Sequence, residues 1–192
     1  MTMTTSAAGR GAWLGRLLGN RRAGESKLAW NQPGLDAPET ITLTSPAFVD
    51  GSEMPVSSAG KGVGLNISPP LAWHGLPAQT AELVLIIEDP DAPLPRPVVH
   101  LALAGIPPQL EGFAEGDLNE GGPHGNGRGS FNRTGYAGPR PVPGHGQHHY
   151  AFQLYALSRP LHLPSGAKPS AIVSAINGTV LARGRLDGTY ER

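Results

Sequence analysis

The sequence predicts a mostly β domain with helices near its two ends and unusually long connecting loops. Three observations carry this. Glu82–Glu88, reading ELVLIIE, has a continuous apolar centre, as a strand covered on both faces requires. Tyr150–Leu157, reading YAFQLYAL, alternates loosely and is rich in aromatic residues, which suits a sheet. Glycine (27) and proline (20) together make about a quarter of the 192 residues, just below the roughly 25–30% at which disorder becomes the default. With 39% hydrophobic residues and three tryptophans, that surplus belongs in turns and ordered loops instead.

The elements follow in chain order. Residues 1–38 form a basic leader. Within it Gly11–Leu18, GAWLGRLL, places Trp13, Leu14, Leu17 and Leu18 on one face of a short helix, with Arg10, Arg16, Arg21 and Arg22 around it. Glycines at 11, 15 and 19 weaken such a helix by about 1 kcal/mol each relative to alanine, so it needs a partner surface. An anionic membrane surface, a second subunit and its own domain are all open. Residues 39–192 form the main domain. Ile41–Thr44 alternates, Glu82–Glu88 and Pro97–Ala104 read as strands, and Gly121–Gly146 is a long turn-rich loop. Tyr150–Leu157 is the next strand. Pro169 opens a helix running through Ala171–Ile176, which Asn177-Gly178 stops.

Charge and composition exclude several functions. Fifteen basic and fifteen acidic residues cancel, so no bulk field favours nucleic acid. The cancellation is uneven, with +4 on residues 1–28 and −4 on the remainder. The absence of cysteine removes disulfides, thiol catalysis and Cys-type zinc sites. Arg16 interrupts the one apolar run of the leader, no Ala-x-Ala follows it before Asn31, and no segment approaches a membrane-spanning length. These features lead to the expectation of a cytoplasmic protein whose membrane contact is at most peripheral.

Three segments concentrate polar chemistry. Asp89-Pro-Asp-Ala-Pro93 follows the buried strand, and alternation would aim Asp89 and Asp91 at one pocket. An ordinary Asp-Pro turn explains the same residues. His100 interrupts the apolar strand 97–104, with Val98, Ala102 and Ala104 as same-face neighbours. It is read either as a core group or as a pocket residue. His145-Gly-Gln-His-His-Tyr150 opens a strand, with His148 and Tyr150 on one face and His149 on the other. No His-Glu-x-x-His or comparable spacing supports a metal, and Gly125–Ser130 lacks the lysine of a phosphate loop.

Taken in order, Ser68-Pro-Pro-Leu-Ala-Trp73, Asp89-Pro-Asp-Ala-Pro93, His100, Gly135-Tyr-Ala-Gly-Pro139, His148-His-Tyr150 and Leu186-Asp-Gly-Thr-Tyr190 resemble the phosphatidylethanolamine-binding proteins, specifically their bacterial Raf-kinase-inhibitor-like branch. The resemblance covers about Ile41 to Arg192. It implies a β-sandwich of a large antiparallel sheet on a smaller one, with an anion pocket lined by Asp89, Asp91, His100, His148 and Tyr150. Trp73, Pro139 and Tyr136 are implied neighbours. Leu101 stands where the family often has tryptophan. His149 replaces a common arginine, a loss that Arg140 is expected to offset in part.

The function implied is binding of a small anion, such as phosphate, a phospholipid headgroup or another phosphorylated ligand. Regulation of kinase- or protease-type partners is a possible extension of that role. In this reading the carboxylates keep His100 and His148 protonated as donors. The alternative is an acid–base enzyme using Asp89, His100 and His148 on a small anionic metabolite. No cofactor or metal is expected, nor a nucleic-acid partner, and the chain is expected to form a homodimer.

Overall fold

The computed structural model describes residues 7–192, with side chains from residue 12 onward, so the side chain of Arg10 lies outside those described. Seven strands form two antiparallel sheets. The smaller is ordered β1 (Thr42–Thr44), β2 (Leu71–His74), β5 (Gly112–Phe113). The larger is ordered β4 (Val98–Ile106), β3 (Glu82–Asp89), β6 (His148–Leu157), β7 (Val180–Tyr190). The helices are α1 (Ala7–Leu18) and α2 (Pro169–Ile176), one towards each end. This is the predicted sandwich.

All eight residues of β3 are buried, because each face of the strand meets a different layer. Leu83, Leu85 and Ile87 join Trp73, Phe113 and Tyr150 in the core between the sheets. Val84 and Ile86 join Ile172 and Ile176 of α2, together with Leu35, in a second core. An apolar run therefore marks a double-covered strand even in an antiparallel sheet.

The longest strand, β7, has no counterpart in the sequence reading. Its inward positions run Ala182, Gly184, Leu186, Gly188, Tyr190, and the two glycines break the apolar alternation. Both are needed for packing. A Cβ on Gly184 would run into the carbonyl of Ile41, and one on Gly188 would come within 2.8 Å of Met54 Sδ.

The basic N-terminal segment lies against this body. Leu28 and Leu35 are fully buried, and the amides of Ala23 and Gly24 donate to the carbonyls of Ala92 and Pro90, each at 2.9 Å. In α1 the apolar residues Trp13 and Leu17 are each 66% exposed, whereas Gly15 is buried. The helix docks through its glycine. A Cβ there would lie within 2.6 Å of His145 N and closer still to the carbonyl of Pro143.

A buried histidine cluster as candidate functional site

The site is built where β3 ends beside the start of β6. Asp89, the last residue of β3, accepts the amides of Asp91 (2.7 Å) and Ala92 (3.0 Å) on Oδ1. This Asx turn, stiffened by Pro90 and Pro93, orients the carboxylate. Its Oδ2 lies 2.8 Å from His148 Nδ1. His148 Nε2 in turn lies 2.7 Å from His145 Nδ1, and His145 Nε2–H donates to the carbonyls of Leu18 (2.9 Å) and Arg21 (3.1 Å). Satisfying all three links takes three protons shared among the two rings and the Asp89 carboxyl.

His100 reaches this region through an irregularity. Register shifts between Ile87↔Leu101 and Glu88↔Val99, which leaves His100 as the extra residue of a bulge. Val99 then packs on the α2 side and Leu101 in the core between the sheets. The expected same-face set of Val98, Ala102 and Ala104 is therefore corrected, since Ala102 and Ala104 belong to the α2 side. The His100 ring instead meets Tyr150 edge-on, with centroids 5.0 Å apart. Its Nδ1–H donates to the carbonyl of Ala137.

His100 Nε2 and the Tyr150 hydroxyl are both buried without a hydrogen-bond partner. Burial pushes the His100 pKa down, outweighing the nearby Asp89 charge, with Arg133 adding to the depression. The expectation that carboxylates hold both histidines as imidazolium is thus corrected. Asp89 bonds His148 alone, and desolvation keeps His100 neutral. Burial also drives the Tyr150 pKa far up, so its hydroxyl remains a donor.

The remaining predicted residues are distributed around this cluster. The structure does not bring Asp91 to it. Asp91 is bound by Arg22 (2.6 Å) and by the ring and amide of His149 (2.6 and 2.7 Å). Burial alone would raise its pKa, but these hydrogen bonds outweigh it and hold the carboxyl below its usual range. Arg22 of the N-terminal segment, rather than Arg140, therefore supplies a permanent charge beside His149. Arg140 is exposed and lines a neighbouring cavity of about 550 Å³ with Tyr136, Ala137, Lys61 and Arg133. Tyr136 donates to the carbonyl of Ser58 at 3.1 Å, and the carbonyl of Pro139 accepts from the amide of Gly60 at 2.8 Å. Trp73 packs edge-on to Phe113 in the core, with its Nε1–H unpartnered. Sequence reasoning did not single out His145 or Arg22. Three histidines within five residues were the signal for the first, and nothing local marks the second. Among the described residues, no group of three or more His, Asp or Glu side chains is arranged to hold a metal ion.

The family model for phosphatidylethanolamine-binding protein matches residues 44–191. The chain belongs to that family. It is similar to E. coli YbcL, described as a new member of the mammalian PEBP family, with a TM-score of 0.74 and 25% identity over 80% of this chain and 99% of YbcL. A Mycobacterium tuberculosis protein named "Putative lipoprotein LppC" is 41% identical over 158 residues, covering 81% of this chain and 74% of that protein. A UPF0098 protein of Pyrococcus horikoshii is 41% identical over 134 residues, covering 67% of each. The cytoplasmic expectation is corrected by the LppC match, because that relative is named as a lipoprotein, a membrane-anchored class. Hydropathy addresses only a spanning helix, and a covalent lipid of the kind that relative's name implies needs none. No helix among the described residues is long and apolar enough to cross a membrane.

Proposed function

We propose that this member of the phosphatidylethanolamine-binding family binds a small anionic group at the Tyr150–His100 pair, with Asp89 and His148 as its electrostatic support. The carrying observation is that Tyr150 Oη and His100 Nε2 are buried side by side with no partner. Leaving such groups unmade costs about 1–3 kcal/mol each, a cost a ligand would remove. Tyr150 donates its hydroxyl proton. Neutral His100 offers a lone pair at Nε2, because Nδ1 already carries the proton given to Ala137. An arriving anion favours the imidazolium, so binding takes up a proton at Nε2 and turns that atom into a second donor. Lys61, Arg133 and Arg140 line the adjoining cavity, whose wall includes Ala137, and supply an attractive approach for an anion. Phosphate, a phospholipid headgroup or another phosphorylated ligand carries the required group.

The test is calorimetry with inorganic phosphate in two buffers of different ionisation enthalpy. Because the free His100 pKa is depressed, affinity should fall as pH rises above it, by up to about tenfold per pH unit, with net proton uptake on binding. Tyr150→Phe should weaken binding about 10- to 100-fold, the loss of one charge-assisted hydrogen bond. Proton-neutral binding with unchanged affinity in Tyr150→Phe would refute the proposal.

A further inference from the structure

The opposite face of the large sheet carries a groove of about 1060 Å³, just above the roughly 300–1,000 Å³ usual for small-molecule sites. Four cationic side chains line it: Lys27, Arg96, Arg128 and Lys168. Among the described residues none of the four lies within ion-pair distance of a carboxylate. Lys27 donates to the carbonyl of Pro95 at 3.0 Å, and Arg128 to the hydroxyl of Thr134 at 2.9 Å. Three of the four, Arg96, Arg128 and Lys168, sit on a body whose net charge is −4 over residues 29–192.

A single carboxyl lines the groove, and it is a poor counter-ion. Glu88 is 6% exposed. Its Oε2 accepts the amide of Ala29 (2.8 Å) and Gln153 Nε2 (2.9 Å), and burial raises its pKa against those bonds. Between the cations the lining is apolar, with Val99 of β4 and Val173 of α2 facing it alongside Pro97 and Pro169. The first turn of α2 also borders the groove. Lys168 there provides no side-chain cap, Pro169 has no amide hydrogen, and the amides of Ala171 and Ile172 donate to the Lys168 carbonyl, which leaves the Ser170 amide at the positive end of the helix dipole.

We propose that this groove is a second binding site, for a phosphate monoester carried on an apolar body. The cations and the helix end would hold the dianionic head, and the valine and proline surfaces the apolar part. An inorganic anion would forgo the apolar contact, and an uncharged amphiphile would leave the cations unmatched. The inference stands apart from the Tyr150–His100 reading, since the groove lies on the other face of the sheet and includes none of Tyr150, His100, Asp89 and His148; Asn132 alone borders both the groove and the approach cavity.

The test is calorimetry of the full chain with octyl phosphate below its aggregation threshold, with inorganic phosphate and octyl glucoside as controls. Octyl phosphate should bind more tightly than either control. The double variant Arg96→Gln/Lys168→Gln, altered only at exposed side chains, should weaken octyl phosphate about tenfold or more. Tyr150→Phe should leave it unchanged. Phenyl phosphate distinguishes two sources of the same chemistry: tighter binding of the octyl ester points to a lipid-derived ligand, and equal or tighter binding of the phenyl ester to a soluble metabolite. The proposal is overturned if octyl phosphate binds no better than inorganic phosphate, if the double variant leaves its affinity intact, or if only Tyr150→Phe abolishes binding.

Discussion

Glu88 and Asp89 are neighbours on one strand, yet they face opposite sides of the sheet and meet opposite fates. Asp89 enters a closed chain through His148 and His145 to the backbone of the N-terminal segment. Glu88 borders an open groove whose cations have no ion-pair partner among the described residues. On one face polar groups are matched to one another, leaving Tyr150, His100 and Trp73 as the exceptions. On the other they are left to solvent or a ligand. A buried polar group is costly unless paired, so a sealed face must resolve its hydrogen bonds internally while an open one need not.

That contrast predicts unequal responses to substitution. The largest is at Asp89. Asp89→Ala leaves the His148 ring and the amides of Asp91 and Ala92 without their acceptor, and should cost about 3–5 kcal/mol in urea unfolding. A loss below about 1 kcal/mol would mean that the chain of contacts through His148 does not constrain the fold.

The docking of α1 gives an intermediate effect. Gly15→Ala places a methyl against backbone atoms of Pro143 and His145, so the helix must lift off and the His145 links to Leu18 and Arg21 must break. This should cost about 1–2 kcal/mol, the net loss of two hydrogen bonds. Hydrogen exchange should quicken around residues 15–22, while Gly19→Ala, with 3.3 Å to its nearest neighbour, should show no such change. If Gly15→Ala slows exchange instead, intrinsic helix propensity decides α1 rather than docking.

The smallest effect is at Glu88. Its folded pKa is raised by burial above the ordinary 4.5, so the native state holds its proton more tightly than the unfolded chain. Its favourable contribution is present below the ordinary value and is lost as pH rises through the raised one. Glu88→Gln keeps an acceptor for Ala29, so it should differ from the parent by less than about 1 kcal/mol at acid pH. The variant should gain relative stability as pH rises. Urea titrations across pH in which the parent gains on the variant with rising pH would reverse the assignment.

How much of this was legible in the sequence depended on how local each cause was. β3, β6 and α2 were readable because their apolar patterns and the Pro169 and Asn177-Gly178 boundaries lie within the segments themselves. β7 was not, because Gly184 and Gly188 answer to Ile41 and Met54, far away in the chain. His100 was identified as a candidate, but its neighbours were misassigned, since a bulge set by pairing with β3 breaks strict alternation. Asp91 looked like the twin of Asp89 by its two-residue spacing. Arg22 and His149 draw its carboxylate elsewhere.

By itself the sequence determined the β-rich class, the family motifs and the set of side chains able to form an anion site. Hydrophobic patterning and the chemistry of Asp, His and Tyr are properties of the residues in short stretches. Only the tertiary structure decided which of those side chains face one another, that His100 is neutral, and that a cationic groove lies behind the same strand. Protonation and pairing depend on burial and on distances between remote segments, and both arise only when Lys27, Glu88, Arg128 and Lys168 are brought together by packing.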